Sequence, residues 1–210
     1  MRIVVPSPGP LERFNGRVFR VLLDCLARPG RVGTLPDPPL TDPPSLDDGD
    51  IPNPVAVAAC MSLLDQTVSF AQAAGTIWLS ADHPLTRWIT LRSNARPVPA
   101  PIADFALLHT PASVALLGDL KQGTLICPEH SCTVFLCVPE IIASGATLRL
   151  SGPGIAGQAM IGLPGMIRTE IAALADRPGQ FPLGIDIFLI DRHQRCVGLP
   201  RTVQIACWDV

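Results

Sequence analysis

The sequence is poor in charge, with almost no lysine and no tyrosine. Only 16% of its 210 residues are charged, against about 25% in a typical soluble domain. Lys121 is its single lysine. A pyridoxal-phosphate enzyme needs a lysine held in a pocket to form a Schiff base. Because Lys121 stands in a polar, glycine-bounded loop, we expect a solvated cation there. The missing phenol also removes one group that could orient a cofactor phosphate.

The sequence also lacks an excess of basic residues and any long apolar run. The formal net charge is −2, so the chain lacks the positive footprint of nucleic-acid binding. The longest nearly apolar run, residues 55–64, is far shorter than the roughly 18 residues of a membrane span. The first residues do not form the apolar segment of a signal peptide, and the seven cysteines follow no framework spacing. We therefore expect a cytoplasmic protein with free thiols that binds neither nucleic acid nor membrane.

Apolar residues, in contrast, make up 48% of the chain. A chain with this high apolar content and low charge has apolar surface to cover, which predicts a large subunit interface. Helical and strand patterns alternate along the chain, which predicts an α/β fold, a single domain over residues 1–210 with a mixed β-sheet flanked by helices. Residues 36–54 interrupt this pattern with seven prolines, five aspartates and no cation. We predict a mobile loop there.

Local patterns also predict individual elements. Residues 67–70, 76–80 and 147–150 favour strands, with a small, flexible segment at 71–75 between the first two. Asn53 is expected to cap a helix that begins at Pro54. Arg177-Pro-Gly179 ends a predicted helix over residues 167–175.

An amphipathic helix is predicted over residues 11–27. Its apolar stripe consists of seven residues at helical spacing, namely Leu11, Phe14, Val18, Val21, Leu22, Cys25 and Leu26. Arg13, Arg17 and Arg20 fall outside this stripe. They are either a solvated face or a set of contacts to carboxylates of a partner subunit.

The last quarter of the chain predicts a buried strand over residues 184–191 and a returning strand over residues 196–199. Pro200 cannot donate to a central ladder and marks an edge or a strand end. Asp186 places a carboxylate inside the apolar strand, so it needs a partner, and Arg201 is the nearest cation in the pattern. The pair is either a structural ion pair or part of a functional site.

Two other segments are candidates for chemistry. Ser151-Gly-Pro-Gly154 follows a predicted strand and either cradles an anion with its backbone N–H groups or forms a tight turn with glycine at positive φ. The second segment invites a zinc interpretation, and its members are Cys127, His130, Cys132 and Cys137. A zinc ribbon or finger needs cysteine pairs two to four residues apart. We therefore predict packed thiols and no metal.

Three segments together resemble one protein family. Phe181-Pro-Leu-Gly-Ile-Asp186 followed by Leu199-Pro-Arg-Thr202 is similar to the C-terminal signature of the PhnH family, a subunit of the bacterial carbon–phosphorus lyase system. Residues 18–32, with the motif Ala27-Arg-Pro-Gly30, and residues 146–155 resemble the same family. The segments fall in the family's order and extend over most of the chain.

The resemblance implies the fold of the pyridoxal-phosphate-dependent transferases without the cofactor site, and no cofactor. It implies membership of the lyase core complex, which forms ribose 1-phosphonate 5-triphosphate from ATP and an alkylphosphonate while adenine is displaced. The other lyase subunits are then partners, and the isolated chain is a homodimer. Candidate contacts to an anion or a partner on the matched segments are Ser151, Gly152, Gly154, Asp186, Arg201 and Thr202.

Two alternatives to this hypothesis remain. One is a stand-alone transferase of the pyridoxal-phosphate type, which requires Lys121 to be buried beside a carboxylate. The other is a module that binds a small anion such as a phosphonate or a nucleotide at residues 151–154. The four histidines are isolated, and none stands in a nucleophile motif. We therefore expect a subunit that shapes the assembly, with the chemistry mainly elsewhere and the catalytic residues unidentified.

Overall fold

The structure, a computed structural model, describes residues 7–39, 43–46 and 50–207. Its α-helices are α1 (Pro10–Ala27), α2 (Pro54–Met61), α3 (Pro84–Ser93) and α4 (Arg168–Ala175). Three 3₁₀ segments span Ala100–Ile102, Pro111–Asp119 and Pro128–His130. The strands are β1 (Gly33–Thr34), β2 (Ser69–Ala74), β3 (Ile77–Trp78), β4 (Arg96–Pro97), β5 (Phe105–Leu108), β6 (Thr133–Cys137), β7 (Ile142–Ser151), β8 (Ala159–Gly162), β9 (Asp186–Ile190), β10 (Arg195–Leu199) and β11 (Gln204–Cys207).

The larger sheet has eight strands of mixed direction. Seven follow the order β1-β10-β9-β6-β5-β2-β3, and β4 pairs with β2. The four central strands, β9, β6, β5 and β2, run parallel, whereas β10, β1 and β3 pair antiparallel to their neighbours. The predicted mixed sheet flanked by helices is therefore confirmed. Because the central strands are parallel, their carboxyl ends lie at one edge of the sheet and their amino ends at the other.

Both faces of this sheet are covered, because successive side chains along its strands belong alternately to two different core clusters. Along β6, Val134 and Leu136 belong to one core cluster, while Phe135 and Cys137 belong to the other. The second cluster contains the buried sides of α1, α2 and α3. The first contains residues of α4 and of the 3₁₀ helix Pro111–Asp119. Strands buried on both faces give continuous apolar runs, as in the sequence of β9.

A second sheet, β11-β7-β8, is antiparallel and covers part of the first cluster. The sequence predicted only residues 147–150 of it. The register between β7 and β8 shifts between Ala143 and Leu148, and Ser144 has a positive φ of 61°. A bulge of this kind breaks the alternation of side chains that marks a strand in sequence. The bulge therefore concealed the first part of β7.

The prediction for residues 67–80 was partly wrong. It placed strands at 67–70 and 76–80 around a flexible segment at 71–75, but β2 continues to Ala74 and turns at Gly75. Alanine is a weak strand former. Here Ala71 and Ala73 are buried in the first core cluster beside Val114 and Leu117. Burial in a central strand therefore outweighed the low propensity of alanine.

The predicted amphipathic helix is confirmed as α1, with one exception. Phe14, Val18, Leu22 and Cys25 are buried, but Leu11, in the first turn, is 60% exposed. Pro54 opens α2, and the Asn53 side chain caps it by accepting hydrogen bonds from Val55 N and Ala56 N. Within the described ranges, no helix combines the length and apolar character needed to cross a membrane.

The Pro/Asp-rich segment is attached to the fold at several points. Leu46 is buried in the second core cluster. Gln194 Nε2 donates to Asp37 Oδ1, and Arg192 Nη2 donates to Ile51 O at 2.6 Å. Residues 40–42 and 47–49 of this loop lie outside the described residues, and the mobility of the loop stays a prediction.

Candidate functional site

Asp186 and Arg201 form an ion pair at the amino end of β9. Asp186 Oδ1 accepts from the backbone N of Arg201 at 2.8 Å and from its Nε at 3.2 Å, and Oδ2 accepts from Nη2. The side chains are only 20% and 14% exposed, respectively. The carboxylate in the apolar strand thus has the partner that the sequence indicated. The two charges join the start of β9 to the turn after β10.

The same guanidinium group also holds the 3₁₀ turn that precedes β6. Arg201 Nη1 donates to Pro128 O at 2.6 Å, and Nη2 donates to Ser131 Oγ. Together with the two bonds to Asp186, these contacts engage four donor positions of a group that carries five N–H bonds. Little donor capacity is left for an external anion. The geometry is that of a structural clamp between three chain segments.

Arg177 lies beside this pair and was not singled out by the sequence. Its guanidinium donates to Leu199 O at 2.7 Å, Pro200 O at 2.6 Å and Val203 O at 2.9 Å. Burial lowers the pKa of Arg177 to about 10. The negative charge of Asp186 opposes this shift, and the positive charge of Arg201 adds to it. The sequence indicated Arg177 only as part of a motif that ends a helix. Its hydrogen bonds go to backbone carbonyl oxygens, which every residue has, so no sequence pattern marks them.

The turn from Ser151 to Gly154 is tightly packed. Gly152 and Gly154 have φ values of 129° and 83°, where only glycine is free of strain. A Cβ atom at Gly154 would lie 2.6 Å from Ala27 O, and one at Gly152 would lie 3.1 Å from Thr202 O. The fold therefore brings the three family-like segments together at this turn. Both glycines have a packing reason to be there, and a role in anion binding stays a prediction.

The three arginines of α1 are all exposed, as the helical pattern predicted. Arg13 also donates to Pro8 O at 2.7 Å. Phe19 and Leu23 lie on the outside of the same helix and are 53% and 56% exposed. The outer face of α1 thus combines cations with large apolar side chains. Arginine and aromatic residues, phenylalanine included, are enriched at protein interfaces relative to the rest of the surface.

Lys121 differs from its prediction as a solvated cation. Its side chain is only 24% exposed, and Nζ forms an ion pair with Asp104 Oδ1. Asp104 also accepts from the N and Oγ of Ser69. Burial raises the pKa of Asp104, but the hydrogen bonds from Lys121 and Ser69 outweigh burial and lower it. Lys121 does lie beside a carboxylate, as the transferase alternative requires, but its Nζ is already engaged in the ion pair with Asp104.

The four residues of the zinc interpretation are separated in the structure. Cys132 and Cys137 are buried, and burial raises the pKa of the Cys137 thiol to about 12. Cys127 and His130 lie instead in and beside the 3₁₀ turn Pro128–His130, together with Glu129, which the sequence interpretation did not include. The ligand atoms of Cys127, Glu129 and His130 all lie within 4.8 Å of one another.

A cavity of about 200 Å³ opens at the carboxyl edge of the parallel strands. His109 follows β5 and lines it, as do Asn53 at the start of α2 and Arg192 after β9. His109 Nε2 bonds to Gln72 Oε1 at 2.9 Å, and the amide nitrogen of Gln72 donates to Thr86. The Oε1 atom of Gln72 therefore accepts the hydrogen bond from His109 Nε2, and the imidazole carries its proton on Nε2.

Two nitrogens of these lining residues lack a hydrogen-bond partner among the described residues, namely His109 Nδ1 and Asn53 Nδ2. Burial, with a smaller effect of the charge of His83, lowers the pKa of His109 to about 3. The ring is therefore a neutral acceptor at pH 7. Unpaired buried polar groups are rare in proteins, and ligands of α/β proteins bind outside the carboxyl ends of the strands. The sequence missed this cavity because Asn53, His109 and Arg192 are far apart in the chain.

Comparison with known proteins identifies the family. The family model described as "Bacterial phosphonate metabolism protein (PhnH)" matches residues 13–206. The chain is 29% identical over 192 residues to the "Alpha-D-ribose 1-methylphosphonate 5-triphosphate synthase subunit PhnH" of Rhizobium meliloti (strain 1021), and the match covers 90% of this chain and 88% of the relative. It is also 29% identical over 189 residues to the "Putative C-P lyase subunit protein HtxG" of Stutzerimonas stutzeri, with 89% and 83% covered. The chain therefore belongs to the PhnH family of bacterial phosphonate metabolism proteins.

Proposed function

We propose that this protein is a subunit of a carbon–phosphorus lyase complex in phosphonate breakdown, needed to form ribose 1-phosphonate 5-triphosphate from ATP and an alkylphosphonate. The observation that carries the proposal is the family match over residues 13–206, together with a relative named as a subunit of the corresponding synthase. In this reaction a phosphonate oxygen bonds to the anomeric carbon of the ribose, and adenine leaves with the electrons of the broken C–N bond.

The described residues support a role in shaping the assembly. A triphosphate carries several negative charges, and proteins hold it with clustered cations and backbone N–H groups. The partly buried cations found near candidate sites, Arg177, Lys121 and Arg201, already bind carbonyl oxygens or carboxylates of this chain. The larger part of the ATP site would then lie on other subunits. The isolated chain should release no adenine from ATP in the presence of methylphosphonate, whereas adding it to a complex that lacks it should restore release.

The outer face of α1 is our candidate for docking to another lyase subunit. Its cations can pair with a partner's carboxylates while Phe19 and Leu23 supply apolar contact. We expect Arg20→Glu to weaken assembly and to leave the melting temperature nearly unchanged, because Arg20 is exposed. Arg87→Glu, an equal charge change at an exposed position of α3, is the matched control. Equal assembly by both variants would overturn this docking face.

We also propose that the isolated chain is a homodimer, as the family resemblance implies. Its low charge is one argument, and its exposed large apolar side chains are another, for example Leu125, Ile126 and Phe181. A stable dimer of this kind buries on the order of 1,200 Å² or more in total. Light scattering at micromolar concentration should give twice the chain mass, and a monomer would contradict the proposal.

A small-molecule site is the second candidate function, and the carboxyl-edge cavity favours it more than the Ser151–Gly154 turn does. The cavity is lined by the cation Arg192 and by Asn53 and His109, whose buried Nδ2 donor and Nδ1 acceptor have no partner among the described residues. A small anion that carries a hydroxyl group fits this set. Titration of the isolated chain with ATP and with methylphosphonate tests it, using Arg192→Ala as the disrupted variant and Arg87→Ala as the control.

The fold of the pyridoxal-phosphate-dependent transferases remains our expectation from the family resemblance. The pyridoxal-phosphate alternative itself rests on Lys121 and the neighbouring cavity of about 460 Å³. A purified protein that absorbs in the visible range, and that loses this band in Lys121→Met, would support it. A colourless protein would favour the assembly subunit. The ion pair of Lys121 with Asp104 supports the colourless outcome.

A further inference from the structure

A cluster of metal-ligand types lies in the turn before β6. Cys127 offers a sulfur, Glu129 a carboxylate oxygen and His130 an imidazole nitrogen, and these atoms lie within 4.8 Å of one another. Glu129 and His130 are exposed, and Cys127 is half-buried. The cluster is separate from the carboxyl-edge cavity, and Arg201 of the clamp contacts only the backbone of its turn, at Pro128 O.

The backbone that carries this cluster is held from several sides. Thr124 Oγ1 accepts from Cys127 N at 3.0 Å, and Cys127 O accepts from the backbone N of both Thr124 and His130 at 3.2 Å. Arg201 binds Pro128 O within the same turn. Gly123 approaches so closely that a Cβ atom there would lie 2.5 Å from Pro128 O. A fixed backbone lowers the entropy cost of bringing three ligands to one ion.

The geometry points to a binding site for a divalent transition-metal ion of the zinc type at Cys127, Glu129 and His130. Thiolate, imidazole and carboxylate are the ligands that Zn²⁺ takes, at about 2.0–2.3 Å each. Tetrahedral ligands at such bond lengths lie roughly 3.3–3.8 Å apart, so the side chains need to close by at most about 1.5 Å when the ion binds. Three protein ligands leave the fourth position to water or to an incoming group, the arrangement of zinc sites that are not purely structural.

The sequence predicted no metal here because it tested the wrong set. It grouped Cys127 and His130 with Cys132 and Cys137, whose spacing fits neither a ribbon nor a finger. The structure replaces the two buried thiols by Glu129. A carboxylate between a cysteine and a histidine on one short turn has no standard zinc spacing, so only the folded turn reveals the set.

Metal binding to the reduced full chain tests the site. Zn²⁺ is titrated in competition with a chromophoric chelator, and Co²⁺ is titrated while thiolate-to-metal absorption is followed. We expect one equivalent of either ion per chain and a thiolate absorption band with Co²⁺. Cys127→Ser should remove that band, and Glu129→Gln and His130→Gln should each weaken binding at least about tenfold. Affinity should fall with falling pH because the ligands must lose protons.

Cys207→Ser is the matched control, since Cys207 is an exposed free cysteine outside the cluster. Its affinity and Co²⁺ spectrum should equal those of the parent. Circular dichroism of each variant without metal checks that the fold is retained, so that a loss of binding is a loss of ligands. The absence of saturable binding would overturn the site, and so would a parent-like Co²⁺ band in Cys127→Ser. None of these outcomes depends on the role of the protein in the lyase complex.

Discussion

The two edges of the parallel strands differ in how completely their polar groups are paired. At the amino edge, Asp186 binds Arg201, and Asp104 binds Lys121 and Ser69. At the carboxyl edge, the side chains of Asn53 and His109 each retain a buried nitrogen without a partner among the described residues. Both edges belong to one sheet with the same apolar core, so the difference comes from the residues placed at the strand ends.

This difference separates stability from ligand binding. A buried charge that loses its partner costs several kcal/mol, so single substitutions in the paired groups of the amino edge should damage the fold. A buried polar atom without a partner does not stabilise the fold, because its lost hydrogen bonds to water are not replaced. Its presence at the edge where α/β proteins bind ligands favours a binding role for the carboxyl edge. The family-like motifs Phe181–Asp186 and Leu199–Thr202 meet at the paired edge through Asp186 and Arg201.

The sharpest test of this comparison is to break the amino edge. Asp186→Asn and Arg201→Ala should each lower the free energy of unfolding by about 3 kcal/mol. This value is the low end of the range for breaking a buried pair, because both side chains keep some exposure. Urea unfolding measures it, with Arg20→Ala, an exposed arginine of α1, as the control that should change little. Variants that unfold like the parent but fail in the lyase complex would assign the pair to a functional site instead.

Acidification should affect the carboxyl edge first. The pKa of His109 is about 3 in the fold and 6.5 in the unfolded chain, so below pH 6.5 the unfolded chain binds a proton that the folded chain does not. The stability therefore falls as the pH falls from 6.5 toward 3, by about 2 kcal/mol at pH 5. His109→Gln should show a smaller loss between pH 7 and pH 5. Equal losses in parent and variant would contradict the burial of a neutral imidazole.

The amino edge should respond in a lower pH window. Hydrogen bonds from Lys121 and Ser69, which outweigh burial, lower the pKa of Asp104 below its ordinary value of 3.8. Its contribution is present above that value and is lost as the pH falls through the folded-state pKa. Stability lost above pH 5 thus reports mainly on His109, and further loss below pH 4 includes Asp104.

The sequence predicted the features that depend on residues close together in the chain, or on the rule that a buried charge needs a partner. Asp186 had to find a cation, and Arg201 was close in the hairpin pattern. Asn53 before Pro54 predicted a capped helix start, and the stripe of α1 predicted its buried face. The sequence did not predict the pairing of Lys121 with Asp104 or the placement of Asn53 and His109 at one cavity. Both depend on the order of strands in the sheet, which local patterns do not encode.

The smallest expected effect is also the finest test of the difference between the edges. Asn53 has two separable functions, since Oδ1 caps α2 while Nδ2 has no partner among the described residues. Asn53→Ala removes both and should cost about 1 kcal/mol of stability, the usual value of an N-cap. Asn53→Ser keeps a capping oxygen and removes only the unpaired amide group, so its cost should be clearly smaller.

Thermal unfolding of the two variants and the parent, with and without methylphosphonate, measures both functions. If Nδ2 serves a ligand, Asn53→Ser keeps the stability but loses the ligand-induced rise in melting temperature. An equal cost for both variants would show that the amide nitrogen is paired in the folded protein, and the contrast between the two edges would then disappear.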